Sequence, residues 1–588
     1  MIDTLGRRDI LGGLAGVAAT TAFGGAVAAV QRGAPRDPDL GPNVFIFDPA
    51  MPAAPLQSRL NKIFREQERA HFTDRRYAVL LKPGRYKLDV NVGFFTHVAG
   101  LGLLPGYVSI DGHVRAEADW NGGKALVNFW RAVENMTVRP PDRMDRWAVS
   151  QAAPYRRMHL AGDLALDDGG YSSGGFMADC RIDGTVRSGS QQQWYTRNTS
   201  MRGWEGANWN MMFMGVNGAP PNTFPTPAHT ALPAVPLIRE KPFLLVDGSG
   251  GWHVFVPALR RDVRGTSWSS GLPEGNLIPL GRFFIAREGT TAAQINAALD
   301  RGLHLLLTPA IYRLAEPLRI RRANTVVLGL GLATLLAEDG ATALTVEDVP
   351  GVTIAGLFID AGPVNSPVLM EVGPRGSSAD HATNPTLLSD VFFRLGGAAV
   401  GNAETCLEIN SRHVIGDHLW IWRGDHGDRE AGRVHVGWDE SRGAQGLVVN
   451  GDDVTMYGLF VEHFQKYQTV WNGERGRTFF YQNELPYDPP SQAAYMAGTT
   501  RGWAAYKVAD HVRSHEAIGF GVYSNFTADP SVVLDSAIEA PRTPGVRFSH
   551  VTTVSLGGAG TIQHLVNGVG PAARRGAVRQ TLVRYPAP

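Results

Sequence analysis

The chain of 588 residues holds only two cysteines, Cys180 and Cys406, 226 positions apart and outside any CxxC pattern. A disulfide framework and a cysteine metal site are therefore excluded, and both thiols read as small buried apolar side chains. Charge of one sign is equally scarce. Lys and Arg number 56 against 55 Asp and Glu, a net charge of +1, and charged residues make up 19% of the chain. Nucleic-acid binding draws on a basic surplus, so an uncharged partner fits better. No His-Glu-x-x-His string occurs, which removes the common zinc-protease reading. After residue 29 no apolar run is long enough to span a bilayer. What is abundant is glycine, 69 residues or about 12%, together with aromatic residues at 9%. That mixture suits a turn-rich β architecture with aromatic platforms for sugars.

The N-terminus reads as an address. Arg7-Arg8 precede a Gly/Ala-rich apolar run that ends in Ala26-Val27-Ala28, a small-residue cleavage site. This is the pattern of a twin-arginine export signal over residues 1–29, followed by a flexible leader over 30–43. The mature protein is expected outside the cytoplasm, extracellular or periplasmic, with no membrane contact once the signal is removed.

An internal repeat organises the rest. Leu80-Leu-Lys-Pro83-Gly-Arg-Tyr86-Lys-Leu88 matches Leu306-Leu-Thr-Pro309-Ala-Ile-Tyr312-Arg-Leu314, and Val98-Ala-Gly100-Leu-Gly102 matches Val327-Leu-Gly329-Leu-Gly331. A helical pattern precedes each copy, Pro55 to Glu68 and Thr291 to Asp300. Within the halves, short β-branched or aromatic runs alternate with Gly, Asn and Asp. Met136, Met158 and Cys180 recur every 22 residues, and Val352–Asp360 resembles Val454–Glu462. A coil of about 22 residues with three short strands is what a parallel β-helix requires, whereas a β-sandwich gives no reason for that period. The predicted fold is all-β: two tandem right-handed parallel β-helices side by side, over 44–216 and 286–588. Residues 217–285, rich in Pro and aromatics with strands near Phe243 to Leu259, form an ordered connector.

In such a stack, residues one period apart become neighbours roughly 5 Å apart. Gln151 and Ser173 are 22 apart, and Gln192 lies 19 further on, which aligns three uncharged polar groups in the first stack. A structural polar ladder would look the same. In the second stack Glu462 and Glu484 are again 22 apart, near Trp422 and Asp425-His426. Glu484 follows the aromatic run Phe479-Phe480-Tyr481, where partial desolvation would raise its pKa, as a general acid needs. Convergence of Trp422, Trp471, Tyr481 and Tyr487 on Asp425, Glu462 and Glu484 points to sugar hydrolysis, since pyranose rings lie against aromatic faces.

Other signals carry less. Gly329-Leu-Gly331 lacks the third spaced glycine of a nucleotide loop. Asp452-Asp453 and Asp167-Asp168 lack the alternating spacing of a calcium loop. Gly170-Tyr-Ser172-Ser-Gly174 matches the nucleophile elbow in letters, but no helix follows it. His113, His159, His418 and His463 stand singly and read as turn or substrate-contact residues. No metal or cofactor is called for.

The strings Gln151-Ala-Ala-Pro154, Gly170-Tyr-Ser-Ser173-Gly-Gly, Ser190-Gln-Gln-Gln-Trp194, Trp420-Ile-Trp422-Arg-Gly-Asp425-His426 and Tyr481-Gln-Asn-Glu484-Leu-Pro-Tyr487-Asp resemble bacterial family 55 glycoside hydrolases. The resemblance runs from about Gly41 to Pro586. It implies exo-acting, inverting hydrolysis of a β-1,3-glucan such as laminarin, with the general acid at Glu484 and the attacking water on Gln151 and Ser173. Substrate contacts fall by likeness on Gln192, Trp422, Asp425, His426, Glu462 and Tyr487, with Gln191 or Gln193 as a one-residue alternative to Gln192. No basic carboxylate is evident beside Gln151 and Ser173; Glu462 or a water chain is the candidate. A monomer acting on polysaccharide or oligosaccharide is expected. The rival readings are a polysaccharide lyase on a similar solenoid and a non-catalytic glycan-binding stack.

Overall fold

In the computed structural model each half opens with a helix. The structure describes residues 37–428, 432 and 434–587, so the expected export signal over 1–29 lies outside the described residues. Helix α1 (Ala53–Gln67) buries Leu56, Leu60 and Ile63, spaced to form one apolar stripe. Its Gln57 side chain both accepts from Asp89 N at 2.8 Å and donates to Asp89 O at 2.7 Å. Helix α2 (Ala292–Asp300) starts at a capping box between Thr291 and Gln294 and buries Ile295 and Leu299. Each helix packs into the apolar interior of its own half.

Beyond the helices the chain is nearly all parallel sheet. In the first half, strands from Val44–Phe47 through Tyr155–Leu160 and Gln193–Arg197 to His229–Leu232 pair in chain order. Parallel neighbours in sequence order require every connection to cross back over, so each strand marks one turn of a coil. The second half repeats this from Phe283–Ala286 to Val546–Ser555, with a second parallel sheet from Leu318–Ile320 to Ile538–Glu539. An antiparallel strand, Arg579–Tyr585, closes the end. The chain is two tandem parallel β-helices. Between them, Phe243–Val246, Trp252–Pro257 and Gly275–Pro279 form a small antiparallel sheet.

The 22-residue period holds only in places. Val133↔Tyr155 and Tyr155↔Met177 keep it in the first half. In the second, the similar strings at Val352 and Val454 are three coils apart: Ile354 pairs Leu388, Leu388 pairs Gly416, Gly416 pairs Met456, and only Met456↔Thr478 is 22. The longer coils place their surplus in loops, one of which follows Trp422.

At one corner of successive coils a residue takes a left-handed backbone: Asn135, Arg157, Asp179, Asn198 and Gly215 in the first half, and Gly356, Asp390, His418, Gly458, Phe480, Gly519 and His550 in the second. Such a residue acts as a bulge and shifts the inward–outward alternation by one. Met456 and Leu459 both face the interior, while Tyr457 and Phe460, on either side of Gly458, both face the other helix. A Cβ at Gly458 would meet Phe176 at 3.0 Å and Tyr195 at 3.1 Å, both from the first half. Positive φ and this close approach together explain glycine there.

The two helices meet along an aromatic seam, with Phe95, Trp130, Phe176 and Tyr195 against Phe358, Trp420, Tyr457 and Phe480. Buried guanidinium forks fix its register. Arg156 binds Asp390 with two 2.8 Å bonds, and Arg197 binds both Asp417, at 2.8 and 2.6 Å, and Glu240, at 2.8 Å twice. Breaking one such buried pair costs about 3–5 kcal/mol, because a charge is left without its partner.

Candidate active site

A cavity of about 610 Å³ opens where the outward faces of the two helices converge, and Gln151, Ser173, Gln192, Trp422, Asp425, His426, Glu462, Glu484 and Tyr487 all line it. The second helix contributes a row. Trp422 pairs in register with Glu462, and Glu462 stands two residues past the Phe460–Gln482 pair, which sets it beside Glu484. Both carboxylates thus project from the same face of adjacent strands.

Glu462 is 2% exposed and Glu484 is half-buried at the cavity wall. The Glu462 carboxylate accepts from Gln151 Nε2 at 2.9 Å on one oxygen and from Trp420 Nε1 at 2.8 Å on the other. Gln151 Oε1 in turn accepts from Ser173 Oγ at 2.9 Å. A chain of polar groups therefore runs from the first helix to a buried carboxylate of the second. Glu484 accepts the Tyr487 hydroxyl on Oε2 and Gln482 Nε2 at 3.4 Å on Oε1. Burial, and after it the neighbouring Glu484 charge, push the Glu462 carboxyl well above the ordinary range. Burial also pushes Glu484 up, against the opposing pull of His463 and the Tyr487 hydroxyl. Two such groups titrate as a pair and cannot easily both be charged.

Asp425 differs. Burial pushes it up, but His426 and His463 outweigh that effect and hold the carboxyl below the usual range. His426 Nδ1 lies 2.9 Å from Asp425 Oδ1 and His463 Nε2 lies 3.7 Å from it. His463 Nδ1 donates to Leu485 O at 3.1 Å, and its backbone N–H donates to Glu484 O at 2.8 Å, so His463 is fastened to the strand that carries Glu484. Arg423 forks Asp488 at 3.1 and 2.7 Å and donates to His463 O at 3.0 Å, bracing the segment after Glu484.

Of the three consecutive glutamines, Gln192 is the one that lines the cavity. Gln191 Nε2 is spent on Val149 O and Leu166 O, Gln193 Nε2 on Ser173 O, and both side chains are buried. Trp471 and Tyr481, expected beside the carboxylates, lie instead in the interior of the second helix. Phe480, with φ of 66°, shifts the alternation and turns Tyr481 inward, where its hydroxyl bonds Thr469 and Ala505. His418 is no substrate contact: it is buried at the seam, 2.8 Å from Asp390 and stacked on Phe176. Ser172 faces Ser190, not a histidine, and Asp452 and Asp453 are held by Arg475. Phe129, Tyr171, Trp209, His463 and Asn525 also line the cavity. His463, read from the sequence as a turn or substrate-contact residue, is among them; the loops of the other four carry no period that would have marked them.

Coiled parallel strands with a paired-carboxylate cleft walled by aromatic rings define a carbohydrate-active β-helix protein. The LAM55 pectate lyase-like domain matches residues 283–484. An exo-beta-1,3-glucanase of Streptomyces sp. (strain SirexAA-E / ActE) is 50% identical over 552 residues, 93% of this chain and 90% of that one. The solved structure of sacteLam55A from Streptomyces sp. SirexAA-E superposes with a TM-score of 0.91 at 49% identity, over 93% of this chain and 99% of that one. A glutamate-to-alanine variant of sacteLam55A in complex with glucose gives the same TM-score and identity, over 94% and 99%. The chain belongs to the family 55 glycoside hydrolases.

Proposed function

We propose that this protein is an exo-acting, inverting hydrolase of β-1,3-glucan of the laminarin type. The observation that carries the reading is the carboxylate pair of one helix facing the Gln151–Ser173 pair of the other across one cavity. The named relative, an exo-beta-1,3-glucanase at 50% identity, supports the substrate class.

Glu484 is the general acid. Burial raises both carboxyls and Glu462 the more, but the N–H donor on each Glu462 oxygen opposes that rise and favours placing the single charge of the pair there, which leaves the proton on Glu484. A water held on Ser173 and Gln151 attacks the anomeric carbon from the face opposite the leaving group. The C–O bond to the aglycone breaks, the Glu484 proton goes to that oxygen, and the new C–O bond inverts the anomer. Glu462, directly or over one further water, takes the proton that the attacking water gives up. It sits on the same sheet face as Glu484 and reaches the water side through Gln151, which explains the absence of a free carboxylate beside Ser173. Trp422, 1% exposed where it lines the cavity, backs the sugar site, and Gln192, Asp425, His426 and Tyr487 supply hydroxyl partners.

In this reading residues 44–216 and 286–588 form the two walls of the cleft, 217–285 connects them while lending His229–Leu232 to the end of the first sheet and Phe283 onward to the start of the second, and the protein works as a monomer after export by the twin-arginine route. The test is proton NMR during laminarin hydrolysis. Glucose released first as the α-anomer is expected. Initial β-anomer would reject inversion, an unsaturated product would reveal a lyase, and binding without release would reduce the protein to a glycan-binding stack.

A further inference from the structure

The near-zero charge of the whole chain conceals a lopsided end. Residues 540–588 hold six arginines and no Lys, Asp or Glu, whereas the first 539 residues hold 50 Lys and Arg against 55 Asp and Glu, a net of −5. All six, Arg542, Arg547, Arg574, Arg575, Arg579 and Arg584, are exposed. None of them forms an ion pair among the described residues, even Arg547, whose neighbour in register on the preceding coil is Glu516. Where these guanidiniums are held, backbone carbonyls hold them. Arg542 donates to Asn567 O at 3.4 Å, Arg547 to Pro544 O at 3.0 Å and Arg579 to Asn208 O at 2.6 Å. A neutral acceptor orders the side chain and leaves its charge uncompensated.

The fold gathers these charges into a line. Strand Arg579–Tyr585 is last in its sheet and runs antiparallel to Val546–Ser555. Phe548, Leu582 and Tyr585 pack on the interior of the second helix, so alternation from each of them turns Arg547, Arg579 and Arg584 to the opposite face. Arg584 pairs in register with Ser549, two residues from Arg547, and Arg574 bridges Ala577, two residues before Arg579. The strand's 7 residues span roughly 23 Å. One end of the line meets the cleft. Asn208, which holds Arg579, precedes Trp209 of the cavity wall, and a Cβ at Gly558 would lie 3.1 Å from Arg575, next to Gly557 of that wall.

We propose that this arginine ridge is a binding surface for an acidic polysaccharide, one bearing uronate carboxylates, laid along the end of the second helix up to the mouth of the cleft. A planar guanidinium matches a carboxylate two bonds at a time, and a segment whose basic residues are all arginine favours that geometry. A ridge one strand wide suits a single extended chain. A membrane surface calls for a substantial apolar face beside the charges, and the exposed apolar side chains beside this ridge are the short Val578 and Val583. Single-stranded nucleic acid calls for rings between the basic groups, and residues 574–584 contain no aromatic residue. Bound there, an acidic chain tethers the enzyme beside neutral glucan without entering the cavity, which raises the effective concentration of that glucan. The choice of a glycan rests on the sugar-cleft reading, whereas the ridge itself rests on charge and register.

The test is affinity electrophoresis in gels carrying polygalacturonate, with laminarihexaose hydrolysis measured on the same preparations. Wild type is expected to be retarded at about 20 mM salt and released at about 300 mM, where screening is stronger. Arg574→Glu/Arg575→Glu at the cleft end and Arg542→Glu/Arg584→Glu at the far end should each weaken binding about tenfold or more, with kcat/KM on laminarihexaose within about twofold of wild type. Equal retardation of wild type and both variants overturns the ridge, and so does wild type that runs unretarded. Tighter binding to duplex DNA or to phosphatidylglycerol vesicles than to polygalacturonate overturns the acidic-glycan assignment. Failure of wild type to release glucose from laminarihexaose defeats the glucanase reading instead, and retardation on polygalacturonate is scored apart from it.

Discussion

The two helices share a repeat and differ in what they bring to the cleft. The first presents amides and a hydroxyl, Gln151, Ser173 and Gln192, on coils of 22 and 19 residues. The second presents ionisable groups, Asp425, Glu462 and Glu484, on coils that range from 22 to 40 residues. Short coils leave little chain for loops, so the first helix offers a flat neutral face. Long coils build a wall, and burial behind that wall raises the Glu462 and Glu484 pKa values. Duplication thus supplied two scaffolds, and loop length divided proton chemistry from water positioning.

That division can be broken by kinetics. Glu484→Gln is expected to lower kcat on laminarin by roughly 10³-fold, and far less on an aryl glucoside whose nitrophenolate leaves without protonation. Equal loss on both substrates would remove Glu484 from the acid role. Gln151→Ala should cost about 10²-fold on both substrates alike, because an unplaced water slows attack whatever the leaving group. Recovery of that variant on the aryl glucoside would break the contrast between the halves.

The smallest effect is on stability. The folded protein holds the Glu484 proton more tightly than the unfolded chain, so the contribution is present at low pH and is lost as pH rises through the raised value. Thermal melts from about pH 5 to about pH 9 should therefore show Glu484→Gln gaining on wild type as pH increases. A gap that stays constant across that window would deny the shift. Activity should decline over the same rise, since the acid must be protonated to act.

Much of this site was legible because its key pairs sit on adjacent coils without insertions. Gln151 with Ser173, and Glu462 with Glu484, are each 22 apart and end up side by side. The helix that opens each half and the tandem halves themselves were likewise marked by local patterns. Trp471 was misplaced because it stands on the second parallel sheet, paired with Val449 and Val508, and Tyr481 because the left-handed backbone of Phe480 resets the alternation. An aromatic residue is an unlikely occupant of that conformation, so the sequence offered no warning. Tyr171 and Trp209 arrive from loops, where position depends on tertiary packing and not on period. The similarity of Val352–Asp360 to Val454–Glu462 reflected equivalent positions, though three turns of the solenoid apart.

The kinked corner has a further effect. Because a turn resets its own phase there, residues gained or lost in the loop behind it leave the orientation of the side chains beyond the corner untouched. The cleft floor is thereby insulated from changes at its rim, and substrate range can drift through loop growth while Glu462 and Glu484 keep their aim.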